Sequence, residues 1–161
     1  MDNTEKNKIL SLVEIKDTNI LDVGCGDGRY CDFFINQCSK YVGIDIDKIQ
    51  INRNNAKNSH KNASYECANI INYQSETKFD IIVLSLSFHE IDIKEQGLAL
   101  VNMLNLLKDN GKIIIIDPTI DEYSFQGLWN VAYNNLLYFN HDYVVKHSQE
   151  VLTVVKTICV N

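Results

Sequence analysis

Four consecutive isoleucines, Ile113–Ile116, and the run Phe79-Asp-Ile-Ile-Val-Leu84 constrain the fold most. Successive side chains of a strand point to opposite faces, so a strand apolar at neighbouring positions must be covered on both. Such strands belong to a parallel sheet held between two layers of helices. Three earlier segments read as further strands: Asn19–Val23, Tyr41–Asp45 and the weaker Ser64–Cys67. Segments with helical spacing alternate with them. Ile9, Leu12 and Val13 form a short stripe, and Asp47 is a ready N-cap for a helix through Ile51 to about Lys57. Leu100, Met103, Leu104 and Leu107 repeat at three- and four-residue spacing. Lys108-Asp-Asn-Gly111 reads as the stop of that helix, with the glycine free to take a positive φ.

Beyond Asp117-Pro118, the spacing of Phe125, Leu128, Trp129, Ala132 and Leu136 predicts a helix over Ser124–Phe139. Leu152–Val160 is β-branched and reads as a strand whose partner stays open, with room for an antiparallel strand at the C-terminal end. The β-α-β alternation predicts an α/β fold: a doubly wound, Rossmann-like, mostly parallel sheet with helices on both faces. At 161 residues the chain reads as one domain, residues 1–161.

Charge and cysteine chemistry narrow the setting. Fifteen Lys and Arg against 21 Asp and Glu give a net charge of −6, which weighs against a general nucleic-acid binder. Cys25, Cys31, Cys38, Cys67 and Cys159 lack paired CxxC spacing, so they read as reduced thiols and as neither a disulfide framework nor a metal site. With no long apolar run and a polar N-terminus, the expected location is the cytoplasm, without a membrane span. Whether the chain forms a homodimer stays open.

Doubly wound sheets bind ligands beyond the carboxyl ends of their strands. Directly after the first strand stands Leu21-Asp-Val-Gly-Cys-Gly-Asp-Gly28. Gly24, Gly26 and Gly28 lack Cβ atoms, so a ligand can lie against this turn, and the helix that follows offers N–H groups. Asp45 ends the second strand, 21 positions beyond Gly24. An acid at that separation accepts hydrogen bonds from the two ribose hydroxyls of an adenosine ligand. A dinucleotide fingerprint would place its third glycine at position 29, which is Arg29, and Asp22 is an awkward neighbour for a pyrophosphate. The spacing therefore favours an adenosine ligand without phosphates over a nicotinamide dinucleotide.

Four segments together resemble the class I S-adenosylmethionine (SAM)-dependent methyltransferases, in their small-molecule, type 11-like branch. Leu21–Tyr30 is similar to the family's first motif and Val42–Ile46 to its second. Phe79–Ile91, with its His-Glu ending, is similar to the fourth-strand motif, and Leu106–Ile116 to the turn into the fifth strand. The resemblance covers roughly residues 5 to 120. It implies that Asp22 and the backbone of Gly24, Cys25 and Gly26 hold the methionine end of SAM. It further implies Asp45 on the ribose, Ile46 against the adenine, Asn69 with Ile70 at the adenine amine, and Ser85 near the ammonium group. The implied activity is methyl transfer to a small-molecule acceptor, with S-adenosylhomocysteine (SAH) as product.

His89 and Glu90 are the concentrated acid/base candidates, following the fourth strand on the ligand side. Methyl transfer needs a base only where the acceptor must lose its proton early, a task suited to His. Cys25 reads as packing rather than reacting, and the fourth strand ends in no Asn-Pro-Pro-aromatic element. Tyr123, Phe125, Trp129, Tyr133, Tyr138 and Phe139 read as faces of one helix rather than a cation cage. The alternative is a non-catalytic SAM-binding subunit or regulatory module of the same fold, motivated by the short frame around the sheet.

Overall fold

The computed structural model describes residues 3–117, 141–148 and 151–158. Its elements run α1 (Asn3–Leu12), β1 (Asn19–Val23), α2 (Cys31–Phe34), β2 (Lys40–Asp45), α3 (Lys48–Lys57), β3 (Ala63–Cys67), β4 (Phe79–Ser85), a 3₁₀ turn (Phe88–Glu90), α4 (Gln96–Leu106), β5 (Leu107–Ile116), β6 (His141–Ser148) and β7 (Val151–Ile158). The sheet order is β3-β2-β1-β4-β5-β7-β6. The first five strands are parallel, while β7 pairs antiparallel with both β5 and β6. The C-terminal β-branched stretch is thus an antiparallel strand, its partners now fixed by Ile113↔Val154 and Val145↔Val154. The predicted helix over Ser124–Phe139 and its aromatics lie outside the described residues.

Side-chain alternation sorts the core into two layers. Leu21, Val23, Ile82, Leu84, Ile113 and Ile115 pack with Leu100, Met103 and Leu104 of α4. Ile20, Tyr41, Ile81, Val83, Ile114 and Ile116 pack on the opposite face with Ile9 of α1 and Phe34 of α2. This is why apolar residues stand at consecutive strand positions, and each fully buried Ile or Leu contributes about 1.5–3 kcal/mol. Helix α3 starts as expected, with the Asp47 carboxylate accepting from the amides of Ile49 (2.8 Å) and Gln50 (3.2 Å).

The stop of α4 departs from expectation. The helix ends at Leu106, and Asn110 rather than Gly111 takes the positive φ, at 62°. The ladder jumps from Phe79↔Leu107 to Ile81↔Lys112, so Lys108–Gly111 forms a bulge at the start of β5. A Cβ on Gly111 would lie 2.9 Å from the Lys108 carbonyl, so this glycine serves close packing instead.

Strand order reverses between β1 and β4, both of which carry their carboxyl ends to the same edge. The site lies there.

Candidate active site

The turn after β1 bends through three glycines with φ of 71°, 50° and 78° at Gly24, Gly26 and Gly28. At Gly24 the glycine is enforced by contact: an added Cβ would lie 2.5 Å from Ser87 Cβ. At Gly26 the same Cβ would meet nothing within 4 Å, so the open space above this residue is available to a ligand. The turn's amides face inward. Gly24 and Cys25 N–H donate to the Ile44 carbonyl, Gly28 N–H to the Cys25 carbonyl, and Gly26 N–H to Asp45 Oδ2 (2.9 Å). The helix after the turn has four residues, and its first amide, on Cys31, is taken by the Gly28 carbonyl. The expected helix N-terminus therefore has one amide fewer to offer a ligand. A phosphate cradle needs several convergent free N–H groups, and the amides of Gly24, Cys25, Gly26 and Gly28 are engaged within the protein.

Two cavities meet at Gly24 and Leu86. The larger, about 550 Å³, is lined by Gly24, Asp45, Ile46, Asn69, Ile70, Ser87 and Glu90, among others. The smaller, about 180 Å³, is lined by Asp22, Gly24, Cys25, Gly26, Arg29 and Ser85, among others. Every residue expected at the cofactor is on one wall or the other. The set divides into a compact, acidic end and a wider, mixed end.

Asp22 is buried in the sheet, where its Oδ2 accepts from the Tyr41 hydroxyl at 2.5 Å. Burial pushes its pKa up to about 7, with the Tyr41 hydrogen bond opposing and the charge of Asp45 adding. Asp45 accepts from Gly26 N–H through Oδ2 and from Asp47 N–H through Oδ1 (2.8 Å). A carboxylate oxygen carries two lone pairs, so each still has one for a ribose hydroxyl. Asn69 Oδ1 accepts from Ile71 N–H at 3.0 Å, which fixes the amide and leaves one acceptor site on that oxygen. Ile46 is 74% exposed, an apolar side chain standing bare at the mouth of the larger cavity. Burial pushes the Cys25 thiol pKa upward, as suits a packing residue.

The acid/base pair divides. Glu90 lines the larger cavity, whereas His89 stands behind it, with Nε2 3.1 Å from Glu90 Oε1 and Nδ1 2.7 Å from Asp117 Oδ2. The hydrogen bond to Asp117 raises the His89 pKa above the ordinary imidazole value, against partial desolvation.

Three participants have no counterpart in the sequence reading. Ser87 wedges against Gly24 and donates from Oγ to the Val23 carbonyl at 2.8 Å. Leu86 adopts φ 53°, strained for a side chain of its size, and is tied by its N–H to the Ile116 carbonyl. Asp117 is the third. An acid standing directly after four isoleucines, on a strand next to β4, was the available signal.

The fold defines a doubly wound α/β protein, with two adjoining cavities at the switch point where such folds bind ligands. The chain belongs to the methyltransferase-domain family, whose model matches residues 14–156. Nodulation protein S of Rhizobium tropici is 28% identical over 108 residues, which are 66% of this chain and 45% of that protein. An uncharacterized methyltransferase of Schizosaccharomyces pombe is 30% identical over 122 residues, 68% of this chain and 42% of that protein. The chain spans about half the length of these curated relatives. Among solved structures, a TehB-like SAM-dependent methyltransferase from Corynebacterium glutamicum superposes with a TM-score of 0.72 at 23% identity, covering 96% of this chain and 87% of that one. The N-methyltransferase NodS from Bradyrhizobium japonicum, in complex with SAH, does so with a TM-score of 0.64 at 15% identity, again over 96% and 87%. These likenesses carry the fold. Among the described residues, no helix is long and apolar enough to cross a membrane.

Proposed function

We propose that the protein is a SAM-dependent methyltransferase acting on a small-molecule acceptor in the cytoplasm. The observation that carries this reading is the pair of cavities that share Gly24 and Leu86 on their walls, with the Asp22 carboxyl at one and the Asp45 carboxylate at the other. That spacing of acids suits a ligand with a cationic end and a ribose, and the engaged amides of the turn disfavour phosphates. The methyltransferase-domain family and the N-methyltransferase NodS with its bound SAH point the same way.

SAM, when bound, supplies an electrophilic methyl group on a positively charged sulfur. The chain's own residues do the rest. Asp45 accepts hydrogen bonds from the ribose hydroxyls, Asn69 Oδ1 from the adenine amine, and Ile46 and Ile70 flank the ring. Asp22, with the backbone of Gly24, Cys25, Gly26 and Ser85, takes the methionine end. Glu90 is the acid on the acceptor side, with His89 behind it. Holding donor and acceptor in line accounts for most of the acceleration such a displacement needs.

The test is incubation with methyl-labelled SAM and a panel of small-molecule amines, alcohols and thiols. Label in a small-molecule product, together with SAH, is the expected result. SAM bound tightly with no transfer to any member would favour the non-catalytic binding module instead.

A further inference from the structure

Asp117 follows β5, and its side chain is 0% exposed. Its Oδ2 meets one residue twice: it accepts from the His89 backbone N–H at 3.0 Å and lies 2.7 Å from His89 Nδ1. With the Asp117 carboxyl ionised, Oδ2 can only accept, so its second contact places the proton on Nδ1. The other ring nitrogen, Nε2, then points to Glu90 Oε1 at 3.1 Å. Glu90 in turn borders the larger cavity. Asp117, His89 and Glu90 form a single line from the buried end of β5 to the cavity wall.

We propose that Asp117 is a positioning residue that holds His89 in the Nδ1–H form, so that Nε2 is the atom that exchanges protons with Glu90 at the cavity. A buried carboxylate fixes which nitrogen carries the proton, and so which one is left to act. The step is a proton transfer alone. The acceptor's O–H, N–H or S–H bond breaks, Glu90 Oε1 takes the proton, and His89 Nε2 takes it from Glu90. The imidazolium sits between two carboxylates and releases the proton to water at its exposed edge, 34% of the side chain being accessible. With Glu90 as a carboxylate, the 3.1 Å approach to Nε2 is the geometry of the proton-loaded ring. Among the described residues, Asp117 from the end of β5 and Glu90 from the 3₁₀ turn are the charged groups that act on the imidazole, and both raise its pKa. The use made of this line rests on the methyl-transfer reading, whereas the tautomer does not.

The test is a nitrogen-15 NMR titration of the histidine rings in the full chain, with the His89 signals identified by their loss in His89→Gln. Above its titration midpoint, His89 in the parent protein is expected to carry its proton on Nδ1. Asp117→Asn keeps an acceptor oxygen of the same shape and should lower the midpoint by about one unit, the scale of a close opposite charge. Asp117→Ala, if it folds, should move the neutral ring's proton to Nε2. Glu90→Gln should lower the midpoint without moving the proton. A parent ring protonated on Nε2 when neutral, or a midpoint unmoved in Asp117→Asn, would overturn the proposal. SAH titrated into the parent protein separates the two readings: an Nδ1–H ring in a protein that binds no SAH upholds the Asp117 contact and rejects methyl transfer.

Discussion

The Tyr41 hydroxyl on β2 donates to the Asp22 carboxylate on β1 at 2.5 Å, inside the sheet. A single hydrogen bond does not replace the hydration an ionised carboxylate loses, and burial lifts the Asp22 pKa to about 7. An acid held at such a position costs stability whenever it is charged.

Asp22→Asn should therefore stabilise the fold and weaken SAM binding. The folded pKa lies above the unfolded value of about 4, so the folded state binds more protons between the two. Parental stability should fall as pH rises from about 4 to about 7, and the variant should escape that fall. Above pH 7 its advantage should be on the order of a few kcal/mol, and it should vanish below pH 4. Urea unfolding of both proteins across this window checks the sign.

Asp45→Ala should weaken SAM binding by roughly 1.5–3 kcal/mol, the scale of hydrogen bonds to a charged group. It also frees the amides of Gly26 and Asp47, whereas Asp45→Asn, with its single amide oxygen, can keep one of these two bonds and serves as the milder comparison. Asn69→Ala should cost less, since its partner is one neutral amine. Calorimetric titration with SAH orders the three variants.

Gly24→Ala and Gly26→Ala should separate packing from ligand space. At Gly24 the methyl would meet Ser87 at 2.5 Å with φ at 71°, so a stability loss of roughly 2 kcal/mol or more is expected. At Gly26 the methyl finds open space, and the left-handed backbone alone should cost about 1–2 kcal/mol. SAH affinity should nonetheless drop in Gly26→Ala, because that space is where the ligand lies. Thermal unfolding with and without SAH resolves the pair.

With an acceptor in hand, His89→Ala and Glu90→Gln should each lower kcat by roughly 10²–10⁴-fold while SAH affinity stays near that of the parent protein. The double variant should lose little beyond the worse single one, as expected of groups acting in one line. Intact turnover per folded molecule in both single variants would remove the pair from the chemistry.

The five parallel strands were legible because their burial on both faces forces β-branched residues onto consecutive positions, as at Ile113–Ile116. The residues expected at the cofactor come together on the two cavity walls for a related reason: residues that follow a strand's carboxyl end project to one edge of the sheet. Contacts decided by register were not. Asp117 meets His89 because β4 and β5 pair Ser85 with Ile116, and no periodicity encodes that alignment. Asn110 took the turn expected of Gly111 because Asn also tolerates the left-handed region, leaving the glycine to the tight approach of Lys108. Strand β6 carries a Val-Val pair among polar residues, too short a run to read as a strand beside the expected helix.

The most direct measurement is calorimetric titration of the protein with SAM, SAH, NAD and ATP under one condition. The engaged amides of Gly24, Cys25, Gly26 and Gly28, the Asp22 carboxyl at the smaller cavity and the Asp45 carboxylate at the larger predict binding of SAM and SAH. NAD and ATP should show none at comparable concentration. NAD binding tighter than SAM would contradict the account at its centre.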